Sequence, residues 1–133
     1  MAGPIHRKVP APVLQAIVLR RDLRLKTAQV LVYASDASIA FIAARARLGQ
    51  EISLTAEEVA WFCGAQAKVY LRAHSEVALS KVADQAKQAA LQIHLIKMER
   101  LVKEQKQLFT VCCAVGPASA AQIASVVGQL TVW

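Results

Sequence analysis

Glycine is scarce in this chain, with five in 133 residues, too few for the glycine-rich loops that cradle phosphate in many α/β proteins. No Walker-type loop, dinucleotide fingerprint or nucleophile elbow occurs. Histidine is equally sparse. His6, His74 and His94 lie far apart, Cys63 stands alone, and neither C-x-x-C nor H-x-x-x-H spacing is present, so no metal and no cofactor are expected. Three cysteines, two of them adjacent (Cys112 and Cys113), do not make a disulfide framework, because neighbours in a strand point to opposite faces. Free thiols suit a reducing compartment. The N-terminal Arg7-Lys8 is followed by no apolar stretch of signal type, so a cytoplasmic protein is expected. Charged residues interrupt every apolar run before the roughly 18 residues of a membrane span, so a membrane is not an expected partner.

What is present is a hydrophobic, basic chain: 56% hydrophobic residues and a net charge of +7. The length suits one domain with a real core and is too short for two ordinary ones. The excess charge is unevenly placed. Residues 1–26 carry Arg7, Lys8, Arg20, Arg21, Arg24 and Lys26 against Asp22, or +5. Residues 97–106 carry Lys97, Arg100, Lys103 and Lys106 against Glu99 and Glu104, or +2. If these stretches meet in space they form the footprint of a polyanion site; if not, they are solvated surface.

Taken in order, residues 1–13 hold three of the four prolines and read as a flexible arm before a single domain over 14–133. The run Ala16–Leu19 predicts a buried central strand. A basic turn then leads into a long alanine-rich helix, stopped by Gly49 and apolar enough to be buried on most sides. Thr55 and Glu58 have capping-box spacing and open a second helix ending near Gly64. Lys68–Arg72 predicts a strand, Ser75-Glu76 the start of a third helix, and Ile93–Ile96 a short strand. Residues 97–106 lack alternation and read as a loop. Phe109–Val115 is a further strand, Pro117 a candidate first helical residue, and Ala120–Val127 a last helix. The order β-α-α-β-α-β-β-α predicts an α/β fold: a three-layer α-β-α domain with a four-stranded mixed, mainly parallel sheet.

One feature of the long helix carries the functional reading. Lys26, Gln29, Tyr33 and Asp36 recur at three, four and three residues and share one face. Ester hydrolysis needs a group that activates water and a donor for the oxyanion. Lys26, Gln29 and Tyr33 are candidate donors and Asp36 a candidate base. A structural role for Asp36, paired with Arg20, Arg21 or Lys26, is the competing reading.

The stretch Val18-Leu19-Arg20-Arg21-Asp22-Leu23-Arg24 resembles the V-x-R-x-D-L-K/R segment of the archaeal and eukaryotic type of peptidyl-tRNA hydrolase. Trp61, Gln66–Arg72 and Ser75-Glu76 resemble that family's tryptophan, Gln-Pro-Lys-Val-Val-Leu-Lys and Ser-Glu. Val115-Gly116-Pro117-Ala118 is similar to its closing Ile-Gly-Pro-Ala. The resemblance spans about residues 14–133 and implies its fold, with tRNA as the partner. Its chemistry does not carry over. Where the family has Gly-Lys-Gly-Lys and then glutamine, serine and histidine, this chain has Lys26-Thr27-Ala28-Gln29, then Tyr33, Ser35 and Asp36, and only Ser35 is retained. The family's later Asp-x-Gly-x-Thr falls in 97–106, where Glu99 and Lys103 stand without the glycine or threonine.

Three readings follow, in this order. The first is a divergent relative that binds an anionic, RNA-like ligand or a protein without turnover. The second is an active peptidyl-tRNA hydrolase with altered roles for Lys26 and Asp36. The third is a different chemistry in the same cleft. Arg20, Arg21, Arg24, Ser35, Lys97, Arg100, Lys103 and Lys106 are the expected ligand- or RNA-binding set, and a homodimer is left open.

Overall fold

The computed structural model describes residues 12–49 and 51–133; most of the arm expected over 1–13 lies outside them. In chain order the elements are β1 (Val13–Arg20), α1 (Thr27–Arg47), α2 (Ala56–Cys63), β2 (Lys68–Ala73), α3 (Glu76–Gln88), β3 (Ile93–Val102), β4 (Gln105–Ser119), α4 (Ala120–Val127) and β5 (Thr131–Val132). The sheet has five strands in the order β3-β4-β1-β2-β5. Among the described residues only β1 and β2 pair in parallel; β1 with β4, β2 with β5 and β3 with β4 are antiparallel. The sheet is mixed, as expected, but the four strands and mainly parallel pairing are corrected to five strands paired mainly antiparallel. The final Leu130–Trp133 run supplies the fifth strand.

The sheet buries both faces. On one, Ala16 and Val18 of β1 and Cys113 and Val115 of β4 pack under Leu79, Val82 and Ala86 of α3 and Ile123, Val126 and Val127 of α4. On the other, Ile17, Leu19, Cys112 and Ala114 lie under Ala34 and Ala37 of α1. Period-2 alternation sends neighbouring strand residues to opposite layers, which is why the β1 run has no polar position to spare. Gln15 is the exception. Fully buried, it donates to the Ser38 carbonyl (2.9 Å) and accepts from the Ser38 hydroxyl (2.6 Å), tying β1 to α1.

Helix ends follow their local chemistry. Gly49 takes a φ of +69° just past α1, the left-handed geometry glycine adopts without strain. Thr55 and Glu58 form the expected capping box. The Ser75 hydroxyl accepts the Ala78 amide at 3.0 Å. Ser75→Ala is expected to cost about 1 kcal/mol, seen as a lower denaturant midpoint at unchanged slope.

Three local expectations are corrected. Residues 97–106 are not a loop. β3 runs on to Val102, β4 starts at Gln105, and Lys103 and Glu104 form a two-residue turn with φ of +52° and +65°, as a hairpin turn of this twist requires. Pro117 does not open a helix; β4 continues to Ser119, whose hydroxyl caps α4 through the Gln122 amide. Finally, α1 is not buried on most sides. Ala34, Ala37, Ser38 and Phe41 face the interior, but Leu31, Val32 and Ile39 are exposed, because one stripe alone meets the sheet. By length and composition α1 is apolar enough to cross a membrane; in this fold that stripe is seated on β1 and β4.

Candidate functional site

α1 has two flanks on either side of its buried stripe. The polar flank runs Lys26, Gln29, Tyr33, Asp36 toward β4 and β3. There the Cys112 thiol donates to the Tyr33 carbonyl at 3.6 Å, and Ile96 packs against the same cluster as Tyr33. Lys26, Gln29 and Asp36 are exposed and Tyr33 is half-buried, so the flank is open rather than sealed. Burial, and then the Asp36 charge, push the Cys112 thiol up to about 12, which keeps it protonated and unreactive.

Gln29 has a local task. Its side-chain oxygen accepts the Lys26 amide at 3.0 Å, satisfying one of the free N–H groups at the helix start. Asp36 makes no ion pair among the described residues. The pairing of Asp36 with Arg20 weighed from the sequence is not made, because Arg20 has other partners.

Arg20 sits under the turn, almost wholly buried. Its Nε and Nη2 donate to both Asp22 oxygens at 3.1 and 2.8 Å. Its Nη1 donates to Glu76 at 3.1 Å and to the Thr110 carbonyl at 3.0 Å. Glu76 in turn accepts the Thr110 amide at 3.1 Å. The Arg20 hydrogen bonds hold the Asp22 carboxyl below the usual carboxylate range. This clasp joins the end of β1, the start of α3 and β4, and it occupies the guanidinium that the sequence assigned to ligand binding. Glu76 and Thr110 are the residues whose role sequence reasoning missed; Glu76 registers there as a helix-start acid and as part of the Ser-Glu resemblance, not as a partner of Arg20.

The clasp also settles where the second cationic stretch lies. β1 pairs with β4 only as far as Leu19↔Cys112, whereas β3 and β4 pair on from Lys97↔Thr110 to Val102↔Gln105. This ribbon projects about 20 Å past the end of β1 at roughly 3.3 Å per residue. It leaves the sheet at the end where the 20–26 turn and the head of α1 are found. Lys97, Arg100, Lys103 and Lys106 are exposed along it, as are Arg21, Arg24 and Lys26 in the turn. The structure thus brings the two cationic stretches to one end of the sheet.

Ser35 does not join that set. It lies on the apolar flank, in a groove of about 840 Å³ lined by Leu31, Ile39, Tyr70, Val132 and Trp133. Arg21 stands at the groove's edge with its guanidinium 4.7 Å from the Trp133 ring. Among the described residues no group of histidine, cysteine and carboxylate side chains could hold a metal ion.

A model of the family described as Peptidyl-tRNA hydrolase PTH2 matches residues 13–133. A protein of Haloquadratum walsbyi named peptidyl-tRNA hydrolase is 29% identical over 119 residues, covering 90% of this chain and 98% of that protein. A solved structure of a protein of unknown function from Agrobacterium tumefaciens is similar at a TM-score of 0.58 and 13% identity. It covers 91% of this chain and 97% of the other, a likeness of fold alone. With nearly the whole described chain inside the family match, the protein belongs to the peptidyl-tRNA hydrolase PTH2 family.

Proposed function

We propose that the chain binds an anionic RNA, the acceptor end of peptidyl-tRNA being the first candidate, between the 20–26 turn, the polar flank of α1 and the β3–β4 ribbon. It holds that ligand without cleaving the ester by the family's usual residues. The convergence of exposed Arg21, Arg24 and Lys26 with Lys97, Arg100, Lys103 and Lys106 at one end of the sheet carries this reading. Phosphate contacts gain free energy by releasing condensed counterions, which needs cations free to reach the backbone. Arg20, held in its clasp, serves the architecture instead.

The lack of turnover is supported by Gln29. It stands where the resemblance calls for a lysine, and its side-chain oxygen is committed to the helix start. The neutral Nε2 amide that remains to donate stabilises a developing oxyanion less than an ammonium would. One observation favours the second reading, active hydrolysis: Asp36 is exposed and unpaired among the described residues, which leaves its carboxylate free to take a proton from water.

Binding of a fluorescent RNA and release of peptide from peptidyl-tRNA separate the two. If about four phosphates are neutralised, affinity should fall about fiftyfold between 50 and 200 mM salt, with no peptide released above background. Salt-independent binding would sink the polyanion reading. Turnover that disappears in both Asp36→Asn and Lys26→Ala would establish the hydrolase in its place.

A further inference from the structure

β3 is an outer strand of the sheet. Among the described residues nothing is hydrogen-bonded along its far side. Proteins usually shorten, bulge, cover or charge such an edge, and β3 shows the last of these, with Lys97, Glu99 and Arg100 exposed along it. β3 is ten residues long, and the irregularity near Ile96 falls on its partner, where Val111 is the extra residue. β3 itself is regular and open.

Its sequence is complementary to itself. Alternation puts Leu95, Lys97, Glu99 and Leu101 on one face and Ile96, Met98 and Arg100 on the face that carries α1. Now set two copies antiparallel with Met98 opposite Met98. Lys97 then lies opposite Glu99 of the second copy and Leu95 opposite its Leu101, each pair occurring twice. Moving the centre to Lys97, Glu99 or Arg100 sets a charge against itself. Centring on Ile96 puts Leu95 opposite Lys97. Of the registers centred between Ile96 and Arg100, the Met98 one alone matches opposite charges and apolar groups together, and directly opposed side chains are the unit of sheet stabilisation. Leu95 and Leu101, 42% and 68% exposed, are the apolar surface this pairing would cover.

We propose that β3 is the edge through which two copies of this chain associate, 94–102 against 94–102, in one continuous sheet. A two-fold axis normal to the sheet keeps both α1 helices on the same face. Arg100 then lies opposite Ile96 of the second copy, whose cluster includes Tyr33. Each copy so lends a cation to the other's polar flank, a consequence that rests on the RNA reading above, whereas the pairing does not.

Sedimentation of the full chain at tens of micromolar tests it. A dimer is expected, weakened at least tenfold by Lys97→Glu or by Glu99→Lys, each of which opposes like charges twice. The double variant restores opposite charges and should recover the dimer. Met98→Cys in a Cys63→Ser background should crosslink under mild oxidation, since opposed Cα atoms lie about 4.5–5.5 Å apart, within disulfide reach. Glu104→Cys at the ribbon tip should not. A monomeric wild type, a dimer indifferent to both single reversals, or a double variant no tighter than the singles overturns the proposal. A dimer of this kind that binds no RNA removes the ligand reading and leaves the pairing standing.

Discussion

Glu58→Ala is expected to lower the stability of the chain by about 3–5 kcal/mol, measured by chemical denaturation near neutral pH. Glu58 is fully buried at the start of α2. It accepts both prongs of the Arg45 guanidinium at 2.7 Å, the Thr55 amide at 2.8 Å and the Gln92 amide at 2.7 Å. One carboxylate thereby joins the last turn of α1, the first turn of α2 and the entry to β3. Burial by itself would raise its pKa; the hydrogen bonds from Arg45, Thr55 and Gln92 more than offset this and bring it down to about 2. Truncation leaves a guanidinium without its anion and two donors without an acceptor. Replacing both members by apolar residues, as in Arg45→Met with Glu58→Met, should cost less than Glu58→Ala alone. A pair of additive losses would contradict this account.

The same carboxylate gives a pH signature. Its folded pKa lies below the ordinary 4.5, so its stabilisation is complete above that value and is lost as pH falls toward about 2. Glu58→Gln should flatten the acid limb of the stability curve over that window and leave the neutral limb parallel.

Neutralising Arg24, Lys26, Lys103 and Lys106 together is expected to weaken RNA binding on the order of a hundredfold at 0.15 M salt. With a slope of about 0.7 per phosphate on single strands, four lost contacts remove a salt exponent near 3, which is worth about that much relative to 1 M salt. All four side chains are exposed, so stability should change little. A loss of affinity at unchanged salt slope would mean that these cations do not meet phosphate. Gel-shift titrations at three salt concentrations read both quantities.

The α/β class, the helix caps and the buried strands were legible because each rests on local chemistry. Thr55 with Glu58 is a capping signal, Ala16–Leu19 has no polar residue, and Ser75 precedes an acid. Strand direction was not legible, since it depends on which strands neighbour one another. The ribbon was hidden for a plainer reason. Both its faces meet solvent, so Lys97–Lys106 shows no apolar alternation, and Lys-Glu is not the Asn-Gly type of turn that marks a hairpin. The polar flank was readable from its spacing alone. The fate of Arg20 was not, because Glu76 and Thr110 are distant in sequence and nothing local announces their meeting.

That meeting has a mechanical consequence. Where Glu76 and the Arg20 guanidinium grip Thr110, β4 is braced at once from the start of α3 and from the end of β1. Outward from there, among the described residues, Gln105–Phe109 pairs with β3 alone. The ribbon is a cantilever with a stiff root. Compliance should grow steadily toward Lys103, so the farthest cations can conform to an irregular strand of nucleic acid while the nearest hold their aim.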